Sequence, residues 1–409
     1  MSHWQRAIIL VDMDAFFASI EQIDSPELFA RPVGITNGAQ GTCLITASYE
    51  ARAYGIKTGM RLKEAQQLCP DLVIKPSRPH RYSEVSTQIM RLLKRLVYDI
   101  EVFSIDEAYL DVTKYQTIYG PPPAISRMLK ASIYKETGVS CSIGVSGDKT
   151  TAKFAAKCQK PNGFTVIHPD HSEARLANEP VAALCGIGPR LEKYLAAYGI
   201  HRCGDMKKIP IGVLAKRFGS PGRRLWYMCQ GQDPAPVTTI TKAPKTIGHG
   251  KTMPPNTKDL NIILTYFMHM AEKVAKRLRL HQYEAQLFYV KLRLVDQPSL
   301  KAKLQANRPT NDGKEIYNII ETWIKKTWQG QGARLVQITA LHPNPQFQQQ
   351  DLLTVNDPKR HTLNKTIDTI NQRYGEFSVA PARLLLRSKM HNVIAPSWRP
   401  DSHRQTIPD

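Results

Sequence analysis

The stretch that decides the fold is AIILVDMDAFF, residues 7–17. Residues 7–13 form an apolar run of strand length, and a helix-like stretch, residues 15–23, follows directly. The run ends at Asp12 and Asp14, so it delivers carboxylates to the end of a strand. An ionised carboxylate is costly inside an apolar segment unless a metal ion or another partner offsets its charge. This segment therefore predicts a strand that carries acids to a functional site.

A second apolar stretch of strand type is also interrupted by acids. FSIDEAYLDV, residues 103–112, carries the adjacent acids Asp106 and Glu107. Phosphoryl transfer from a triphosphate uses two divalent ions roughly 4 Å apart, and such hard cations prefer carboxylate oxygens. An acid from the first strand and an adjacent pair from a neighbouring strand can bracket both ions. The predicted metal ligands are Asp12, Asp106, Glu107 and the carbonyl of Met13.

The segments around these acids predict a mixed sheet with helices. Residues 78–98 and 122–136 have helical periodicity, and residues 140–146 form a further strand-like run. Residues 43–68 predict a short strand, a helix, a turn at glycine and a second helix, as a small insertion on the sheet. Residues 170–233 have a helical pattern that is interrupted by glycines.

One part of this helical region carries a motif. The segment PVAALCGIGPRLEKYLAAYGI, residues 180–200, resembles a helix-hairpin-helix, in which a glycine turn presents backbone amides to phosphate. Gly186 and Gly188 are the glycines of that turn. The motif indicates contact with the backbone of a nucleic-acid duplex.

A linker and a second module follow. Residues 233–246 hold three prolines, two lysines and few large apolar residues, which is typical of an extended linker. Residues 259–280 predict a long helix, whereas residues 285–295 and 334–341 predict strands, so this module is α+β. Residues 344–409 are polar and weakly patterned.

Length and composition indicate the class of protein. A chain of 409 residues exceeds a single core and should hold about three or four domains. The net charge of +21 suits a polyanionic partner, with nucleic acid ahead of an anionic membrane surface. The absence of an apolar run of roughly 18 residues and of a signal-peptide pattern predicts a cytoplasmic protein without a membrane partner. The seven cysteines form no Cys-x-x-Cys pair, so we expect them to be reduced.

Four further residues supply donors of the kind that a triphosphate requires. Thr46, Tyr49 and Arg52 have a helix-like i, i+3, i+6 spacing, and Lys160 lies in the segment KCQKPNG. Taken singly, Tyr49 also fits a packing aromatic and Arg52 a solvated surface charge. Their interpretation depends on the order of the motifs along the chain.

That order makes the chain similar to the Y-family of translesion DNA polymerases, and most similar to the bacterial polymerase IV branch. The segments that carry the resemblance are ILVDMDAFFASIEQ, TASYEARAYGIKTGM, YSEVSTQI, FSIDEAYLDVT, SCSIGVSGDKTTAKFAAKCQKPNGF and GIGPRLEKYLAAYGI. The resemblance covers residues 1–343. It implies a multidomain α+β protein with the right-hand polymerase architecture.

The resemblance also implies domain boundaries. The palm, a mixed sheet with helices, is expected at 1–35 and 77–166, the small fingers at 36–76, the helical thumb with the helix-hairpin-helix at 167–233, the linker at 234–245, the α+β little finger at 246–343 and a C-terminal tail at 344–409. Asp12, Asp106 and Glu107 match the catalytic acids, and the cofactor implied is Mg²⁺, two ions per site. Thr46, Tyr49, Arg52 and Lys160 match triphosphate-binding positions.

The resemblance assigns roles to residues around the nucleotide. Phe16 and Phe17 lie in the nucleotide-binding segment, and Phe17 matches the aromatic steric gate under the sugar, whose ring leaves no room for a 2′-hydroxyl. Spacing alone does not separate this role from that of a core residue. Cys43 and Ile45 match the roof over the nascent base pair. Asp14 is expected to be structural or to support the metal ligands.

Weaker matches concern DNA and a protein partner. The segments KTIGHGKTM, with Lys245 and Lys251, and ARLVQITAL resemble little-finger strands that contact template phosphates. The alternative for each lysine is a solvated basic face. The segment QQDLL, with Gln349, Leu352 and Leu353, resembles the peptide by which bacterial polymerases bind the sliding clamp. The segment that follows is similar to the C-terminal region of the polymerase V catalytic subunit.

The sequence thus predicts a template-directed DNA polymerase of low fidelity for translesion synthesis. Its partners would be primer-template DNA, an incoming deoxynucleotide and the sliding clamp, and the protein would act as a monomer. No second cluster of acids indicates proofreading. Two alternatives remain open: a non-catalytic DNA-binding scaffold with this fold, and another two-metal phosphoryl-transfer enzyme such as a cyclase or a nuclease.

Overall fold

The structure, a computed structural model of the chain, describes residues 3–38, 41–240, 243–346 and 358–389. These residues form two compact units that meet in the chain at residues 241 and 242. Each unit has its own hydrophobic core. We therefore describe the N-terminal and the C-terminal unit separately.

The N-terminal unit combines strands and helices, in agreement with the predicted alternation. Its strands are β1 (Ile8–Met13), β2 (Val33–Thr36), β3 (Leu44–Ala47), β4 (Val73–Pro76), β5 (Ile100–Val102), β6 (Glu107–Asp111), β7 (Cys141–Ser146) and β8 (Phe164–Val166). Its α-helices are α1 (Phe16–Asp24), α2 (Tyr49–Ala53), α3 (Leu62–Leu68), α4 (Pro79–Leu96), α5 (Gln116–Tyr119), α6 (Pro122–Thr137), α7 (Lys149–Cys158), α8 (Ser172–Ala177), α9 (Pro189–Ala196), α10 (Ile211–Phe218) and α11 (Ser220–Met228).

The central sheet has the order β5-β6-β1-β7-β8, and β1 is antiparallel to both of its neighbours. Alternate residues of a strand point to opposite faces of a sheet. Ile9 and Val11 pack in the core formed with α4 and α6, whereas Ile8 and Leu10 pack against α7. The side chain of Asp12 therefore lies on the same face as α7.

Helix α7 packs very closely on β7. A Cβ atom at Gly144 would come within 2.0 Å of the Ala152 carbonyl oxygen, so only glycine allows this approach. The helix begins at a proper cap, because the Asp148 carboxylate accepts a hydrogen bond from the Thr151 amide. This packing fixes how far the lysines of α7 reach over the sheet.

A small sheet and a helical region complete the N-terminal unit. The small sheet has the order β3-β2-β4 and encloses its own core with α2 and α3. The side chain of Ser48 caps α2 by accepting a hydrogen bond from the Ala51 amide. Helices α8 to α11 surround a separate core that includes Leu176, Leu195 and Leu214.

The first half of the predicted linker is fixed on the N-terminal unit. The Asp233 carboxylate is fully buried and accepts hydrogen bonds from Arg224, both at 2.8 Å, and from the Thr150 hydroxyl at 2.7 Å. Farther along, the Thr238 amide donates to the Glu101 carboxylate at 2.7 Å. The proline-rich composition indicated extension but not this attachment, because the partners come from distant segments.

The C-terminal unit consists of one sheet with helices on one face. Its strands are β9 (Thr246–Thr257), β10 (Tyr283–Leu294), β11 (Leu300–Thr310), β12 (Ala333–Leu341) and β13 (Asn344–Pro345), and its α-helices are α12 (Leu260–Leu280), α13 (Gly313–Thr327) and α14 (Pro358–Tyr374). The sheet has the order β11-β10-β12-β9, and β13 pairs with the start of β10. Helix α12 packs on β9 and β12, and α13 packs on β11.

Part of the C-terminal tail belongs to this unit. Helix α14 packs through polar side chains: Arg360 and Asn364 donate to the buried Asp312 carboxylate at 2.5 and 2.7 Å. One to two turns farther on, Asp368 accepts from Arg279 at 2.6 Å. The tail sequence lacks an apolar period because the stripe that this helix buries is polar.

A 3-10 helix, Ala382–Lys389, follows α14. Leu384 is buried in the core of the C-terminal unit, and Phe377 packs against the same core. Asn371 closes the connection by bonding both the amide and the carbonyl of Val379. Within the described ranges, no helix has the length and apolar character that crossing a lipid bilayer requires.

Candidate active site

The acids predicted as metal ligands lie where β1 and β6 meet. The antiparallel register pairs Asp12 directly with Glu107. The Met13 amide donates to the Asp106 carbonyl at 2.8 Å, which continues the ladder by one residue. Tertiary pairing thus brings Asp12 next to an adjacent pair of acids that lies more than ninety positions away in the sequence.

Two like charges directly opposite in a sheet destabilise it unless a cation intervenes. Burial raises the pKa of Asp12 to about 6; Lys160 opposes this rise, while the charges of Asp106 and Glu107 add to it. Asp106 accepts a short hydrogen bond from the Ser104 hydroxyl. The end of β1 and the start of β6 therefore carry an excess of negative charge, which nearby cations would stabilise.

Two lysines supply positive charge to this site. Lys160, in the loop after α7, donates to Asp12 at 2.5 Å. Lys153, on α7, contacts both carboxylate oxygens of Glu107, at 2.8 and 2.7 Å. Both ion pairs lie on the α7 face of the central sheet, where the register places the two acids.

The side chains at this strand end can be compared with the ligands that divalent metal ions require. Among the residues that the structure describes, no three His, Cys, Asp or Glu side chains converge into a ready-made metal site. The oxygens of Asp12 and Glu107 are engaged by lysines instead. The donor chemistry nevertheless fits, because carboxylate oxygens are the ligands that hard divalent cations prefer.

Asp14 has a structural environment. Its carboxylate is almost fully buried and accepts from the Ser142 hydroxyl at 2.8 Å and the Asn162 amide at 2.7 Å. Ser140 donates to the same carboxylate at 3.3 Å. These bonds tie the end of β1 to the loop that carries Lys160, as expected for a residue that supports the site.

The residues predicted to bind a triphosphate lie on β3, on α2 and in the loop after α7. Tyr49 donates to Asp14 at 3.4 Å, and burial together with the Asp14 charge raises the pKa of Tyr49 to about 12. The Arg52 guanidinium lies 4.7 Å from the centre of the Tyr49 ring and donates to the Ala47 carbonyl at 3.0 Å. Thr46 pairs with Ile35 at the edge strand β3.

The two phenylalanines at the start of α1 have different environments. Phe16 is buried in the core beneath the central sheet. Phe17 is only partly buried, and its ring stacks on Tyr82 with centroids 4.2 Å apart and an angle of 11°. The Tyr82 hydroxyl donates to Glu21 at 2.6 Å, which fixes the ring under Phe17. Spacing alone did not show which of the two rings is a core residue. In the structure Phe16 is buried in the core, whereas Phe17 is partly exposed.

Cys43 and Ile45 flank Leu44 on the small sheet. Cys43 is exposed and forms a bridge with Arg61. Ile45 is partly buried against the core that also contacts Phe17. Both positions are therefore on the side of the small sheet that retains access to solvent.

The glycines of the helix-hairpin-helix lie in the turn before α9. Gly186 has a φ of 99°, a left-handed conformation that favours glycine, and Gly188 caps the helix. No atom lies within 4 Å of a Cβ built at either glycine, so the turn is open. Ile187 between them is buried in the core of the helical region.

The two lysines of the C-terminal unit that are predicted to contact DNA differ in their exposure to solvent. Lys245 is exposed. Lys251 is 6% exposed, on the helix-facing side of β9 with Ile247 and Met253, so the prediction that it contacts DNA does not fit its position. A β-strand points alternate residues to opposite faces, and the motif gave no register.

The open face of this sheet carries other cations that the sequence reasoning missed. Lys291 and Lys301 lie directly opposite each other on β10 and β11, and Lys303 pairs with Tyr289 beside them. Lys301 and Lys303 are exposed. Two lysines at i and i+2 in a strand were a signal for such a face, because both side chains must point the same way.

Lys153 and Tyr82 are further residues that sequence reasoning did not single out. Lysine is almost never buried without a partner, and Lys153 follows a lysine at i−4 in a helix in which most other residues are Thr or Ala. That pattern signals a lysine face directed at acids. The predicted clamp-binding residues Gln349, Leu352 and Leu353 lie outside the described residues.

Comparison with known families gives three matches. The model of the impB/mucB/samB family matches residues 11–157. The thumb domain described for DNA polymerase-iota matches residues 182–233. The C-terminal domain of the impB/mucB/samB family matches residues 244–352.

Individual proteins are similar over nearly the whole chain. DNA polymerase IV of Moorella thermoacetica is 36% identical over 90% of this chain and 94% of its own length. DNA polymerase IV of Desulfatibacillum aliphaticivorans is 31% identical over 95% of this chain and 99% of its own length. Among solved structures, a Y-family DNA polymerase chimera of Dbh and Dpo4 superposes with a TM-score of 0.72 and 28% identity, covering 83% of this chain and 99% of the chimera.

Proposed function

The chain belongs to the impB/mucB/samB family of Y-family DNA polymerases, and from that premise we propose that Asp12, Asp106 and Glu107 form its catalytic centre. It is a DNA-directed DNA polymerase, and its function is translesion DNA synthesis. The observation that carries the assignment of the centre is the register that pairs Asp12 with Glu107 and bonds Met13 to Asp106.

The reaction is attack of a primer 3′-hydroxyl on the α-phosphate of an incoming deoxynucleotide, with loss of pyrophosphate. Polymerases of this family use divalent metal ions, and we assign two Mg²⁺ ions to Asp12, Asp106, Glu107 and the Met13 carbonyl. When bound, such ions lower the pKa of the attacking hydroxyl and neutralise charge on the leaving group. Asp106 and Glu107 would hold the ion that activates the primer hydroxyl, and Asp12 would help to hold both ions.

Lys160, Tyr49, Arg52 and Thr46 would orient the triphosphate. Lys160 is bonded to Asp12 and is 23% exposed, so its ammonium can move to a phosphate once Asp12 has another cation. The Tyr49 hydroxyl keeps its proton at neutral pH, because burial and Asp14 raise its pKa to about 12. A neutral hydroxyl can donate a hydrogen bond to a phosphate oxygen.

Phe17 would act as the steric gate for the sugar. Its ring is partly exposed at the start of α1 and rests on Tyr82, so it cannot retreat into the core. Cys43 and Ile45 would cover the nascent base pair from the small sheet. This arrangement supports selection of deoxynucleotides by shape.

The proposed DNA contacts lie in both units. The open turn at Gly186 and Gly188 can offer backbone amides to a phosphate. The facing lysines of β10 and β11 repel each other, and a polyanion relieves that repulsion. We propose Lys245, Lys291, Lys301 and Lys303 as contacts to template phosphates, without base specificity.

The test is extension of a labelled primer on an undamaged template with Mg²⁺ and the four deoxynucleotides. We expect extension by the wild-type chain and a loss of at least about 1,000-fold in Asp106→Asn, because a carboxylate ligand is replaced by an amide. Asp111→Asn is the matched control, since Asp111 is the last residue of β6, which Asp106 directly precedes, but its carboxylate bonds Thr113. A template carrying an abasic site tests translesion synthesis with the same variants.

Two results would contradict the assignment. Equal activity of wild type and Asp106→Asn would remove Asp106 from the centre. DNA binding without extension by the wild-type chain would favour the scaffold alternative, and cleavage of DNA or cyclisation of nucleotide would favour another two-metal enzyme.

A further inference from the structure

Helix α7 carries two buried ion pairs one turn apart. Lys149 contacts both oxygens of the Glu101 carboxylate at 2.7 Å, and Lys153 contacts both oxygens of Glu107 at 2.8 and 2.7 Å. Each lysine also lies near an aromatic ring: Lys149 is 4.8 Å from the centre of Tyr109, and Lys153 is 4.5 Å from that of Phe103. The two pairs are thus alike in chemistry and environment.

The two pairs differ in what their acids do. Glu101 bonds the backbone of the attached linker at Thr238. Glu107 faces Asp12 in the catalytic ladder. Within the described part of the chain, Lys153 is the only side chain that bonds the Glu107 carboxylate.

Lys153 and Lys160 also differ from each other. Lys160 is in a loop and 23% exposed, so it can leave Asp12 when substrate arrives. The Lys153 side chain is 11% exposed and is held in a helix that packs on β7 through Gly144. Lys153 therefore has no comparable route away from its acid.

From this geometry we propose that Lys153 is a positioning residue that holds Glu107 and competes with divalent cations for it. The ammonium keeps the carboxylate directed along the α7 face while it neutralises part of its charge. A divalent ion at Glu107 must share the carboxylate with Lys153, so its affinity is limited. This inference rests on the proposed assignment of Glu107 as a metal ligand.

Competition between Lys153 and a metal ion changes the metal affinity of the site in the opposite direction to a purely structural ion pair. Loss of a merely structural ion pair weakens ion binding and catalysis together, because the site becomes disordered. Loss of a competing cation strengthens ion binding, since the negative charge of Glu107 is no longer shared. Catalysis still falls, because the carboxylate is no longer held in place.

The experiment measures Mn²⁺ binding to the full chain by the EPR signal of the free ion, without nucleotide. We expect Lys153→Met to bind Mn²⁺ about tenfold more tightly than wild type, because a unit charge close to the ion is removed. Lys153→Arg, which keeps the charge, should stay within about twofold of wild type. In steady-state primer extension, Lys153→Met should lower kcat by about tenfold or more.

Lys149→Met is the matched control, since it breaks the neighbouring buried pair on the same helix. Its Mn²⁺ affinity should equal that of wild type. If Lys153→Met does not fold, Lys153→Gln removes the charge and keeps a hydrogen-bond donor for Glu107. Unchanged or weaker Mn²⁺ binding in the neutral Lys153 variant would overturn the proposal, as would an equal gain in Lys149→Met.

A further variant separates this proposal from the assignment on which it rests. Glu107→Gln should lose the Mn²⁺ site and cancel the gain of Lys153→Met in the double variant. Unchanged Mn²⁺ binding in Glu107→Gln would contradict the metal assignment. A loss in Glu107→Gln with no gain in Lys153→Met would contradict only the role of Lys153.

Discussion

At the scale of single residues, the candidate active site depends on charges that lie close to one another. Asp12 and Glu107 are forced together by strand register, and each is held by a lysine from another segment. Phe17 is held by a stacked tyrosine that is itself bonded to Glu21. In both cases a residue with a proposed role is positioned by a partner that the motif does not contain.

Replacing Phe17 by Ala should admit ribonucleotides. The ratio of kcat/KM for deoxynucleotide over ribonucleotide should fall by about two orders of magnitude, because the ring that excludes the 2′-hydroxyl is removed. Single-nucleotide incorporation with both sugars measures this ratio. Tyr82→Phe keeps the stacked ring and should retain the discrimination of wild type. Unchanged sugar selection in Phe17→Ala would show that Phe17 is only a packing residue.

Asp312 should make the C-terminal unit sensitive to acid. Burial alone would raise its pKa, but hydrogen bonds from Arg360, Asn364 and the Glu315 amide outweigh burial and lower the pKa from 3.8 to about 2. A pKa below the unfolded value stabilises the folded state above about pH 4, and this stabilisation is lost as the pH falls through about 2. The shift corresponds to about 2 kcal/mol.

Urea unfolding of wild type and Asp312→Asn between pH 2 and pH 6 tests this expectation. The free energy of unfolding should fall toward low pH more steeply in wild type than in Asp312→Asn. Parallel pH profiles would show that the carboxylate is not responsible.

At the scale of elements, the close contact of α7 with β7 positions the lysines of the site. Helices usually pack farther from a sheet, and only the missing side chain of Gly144 permits this distance. Because Lys153 lies on this helix and Lys160 just after it, an error in helix position would move both ammonium groups. The spacing of charges in the site is therefore a property of this contact.

Gly144→Ala should destabilise the N-terminal unit by at least about 3 kcal/mol, because the added Cβ would overlap the backbone of α7. Thermal unfolding followed by circular dichroism measures the loss. Gly212→Ala is the control, since no atom lies within 4 Å of a Cβ built there, and alanine is the better helix former. If the free energy of unfolding of Gly144→Ala equals that of Gly212→Ala, α7 can move away from β7 with little loss of stability.

At the scale of the whole molecule, residues 358–389 of the tail are part of the C-terminal unit. They contribute Leu384 to the core. They also form three ion pairs with α12 and with the start of α13: Lys273–Glu376, Arg279–Asp368 and Arg360–Asp312. Helix α14 is therefore held on the C-terminal unit mainly by ion pairs and by hydrogen bonds of its polar side chains. Partly buried pairs of this kind are screened by salt less than exposed pairs.

Deletion of residues 358–409 should lower the Tm of the C-terminal unit by about 5 °C. The estimate corresponds to about 2 kcal/mol for a unit of this size, because a core residue and three partly exposed ion pairs are lost. Differential scanning calorimetry measures the change, and a chain that ends at residue 389 separates the contribution of residues 358–389 from that of the residues after them. An unchanged Tm after deletion of 358–409 would show that the tail does not stabilise this unit.

The sequence by itself determined the elements that short-range patterns encode. The apolar run before Asp12, the helical periods of α4 and α6 and the glycine turn at Gly186 were all readable, because each pattern repeats within one element. The order of the motifs also predicted the family, since each motif has its own residue types and spacing. The three acids could be singled out as candidates because ionised groups rarely interrupt apolar strands.

Only the tertiary structure decided which of these residues meet. Strand register pairs Asp12 with Glu107, buries Lys251 and exposes Lys301, and a shift of one residue would reverse each of these orientations. Packing of α7 brings Lys153 to Glu107, and a polar stripe attaches α14, which an apolar pattern cannot reveal. Contacts between distant segments depend on geometry in three dimensions, and local residue patterns carry no direct record of that geometry.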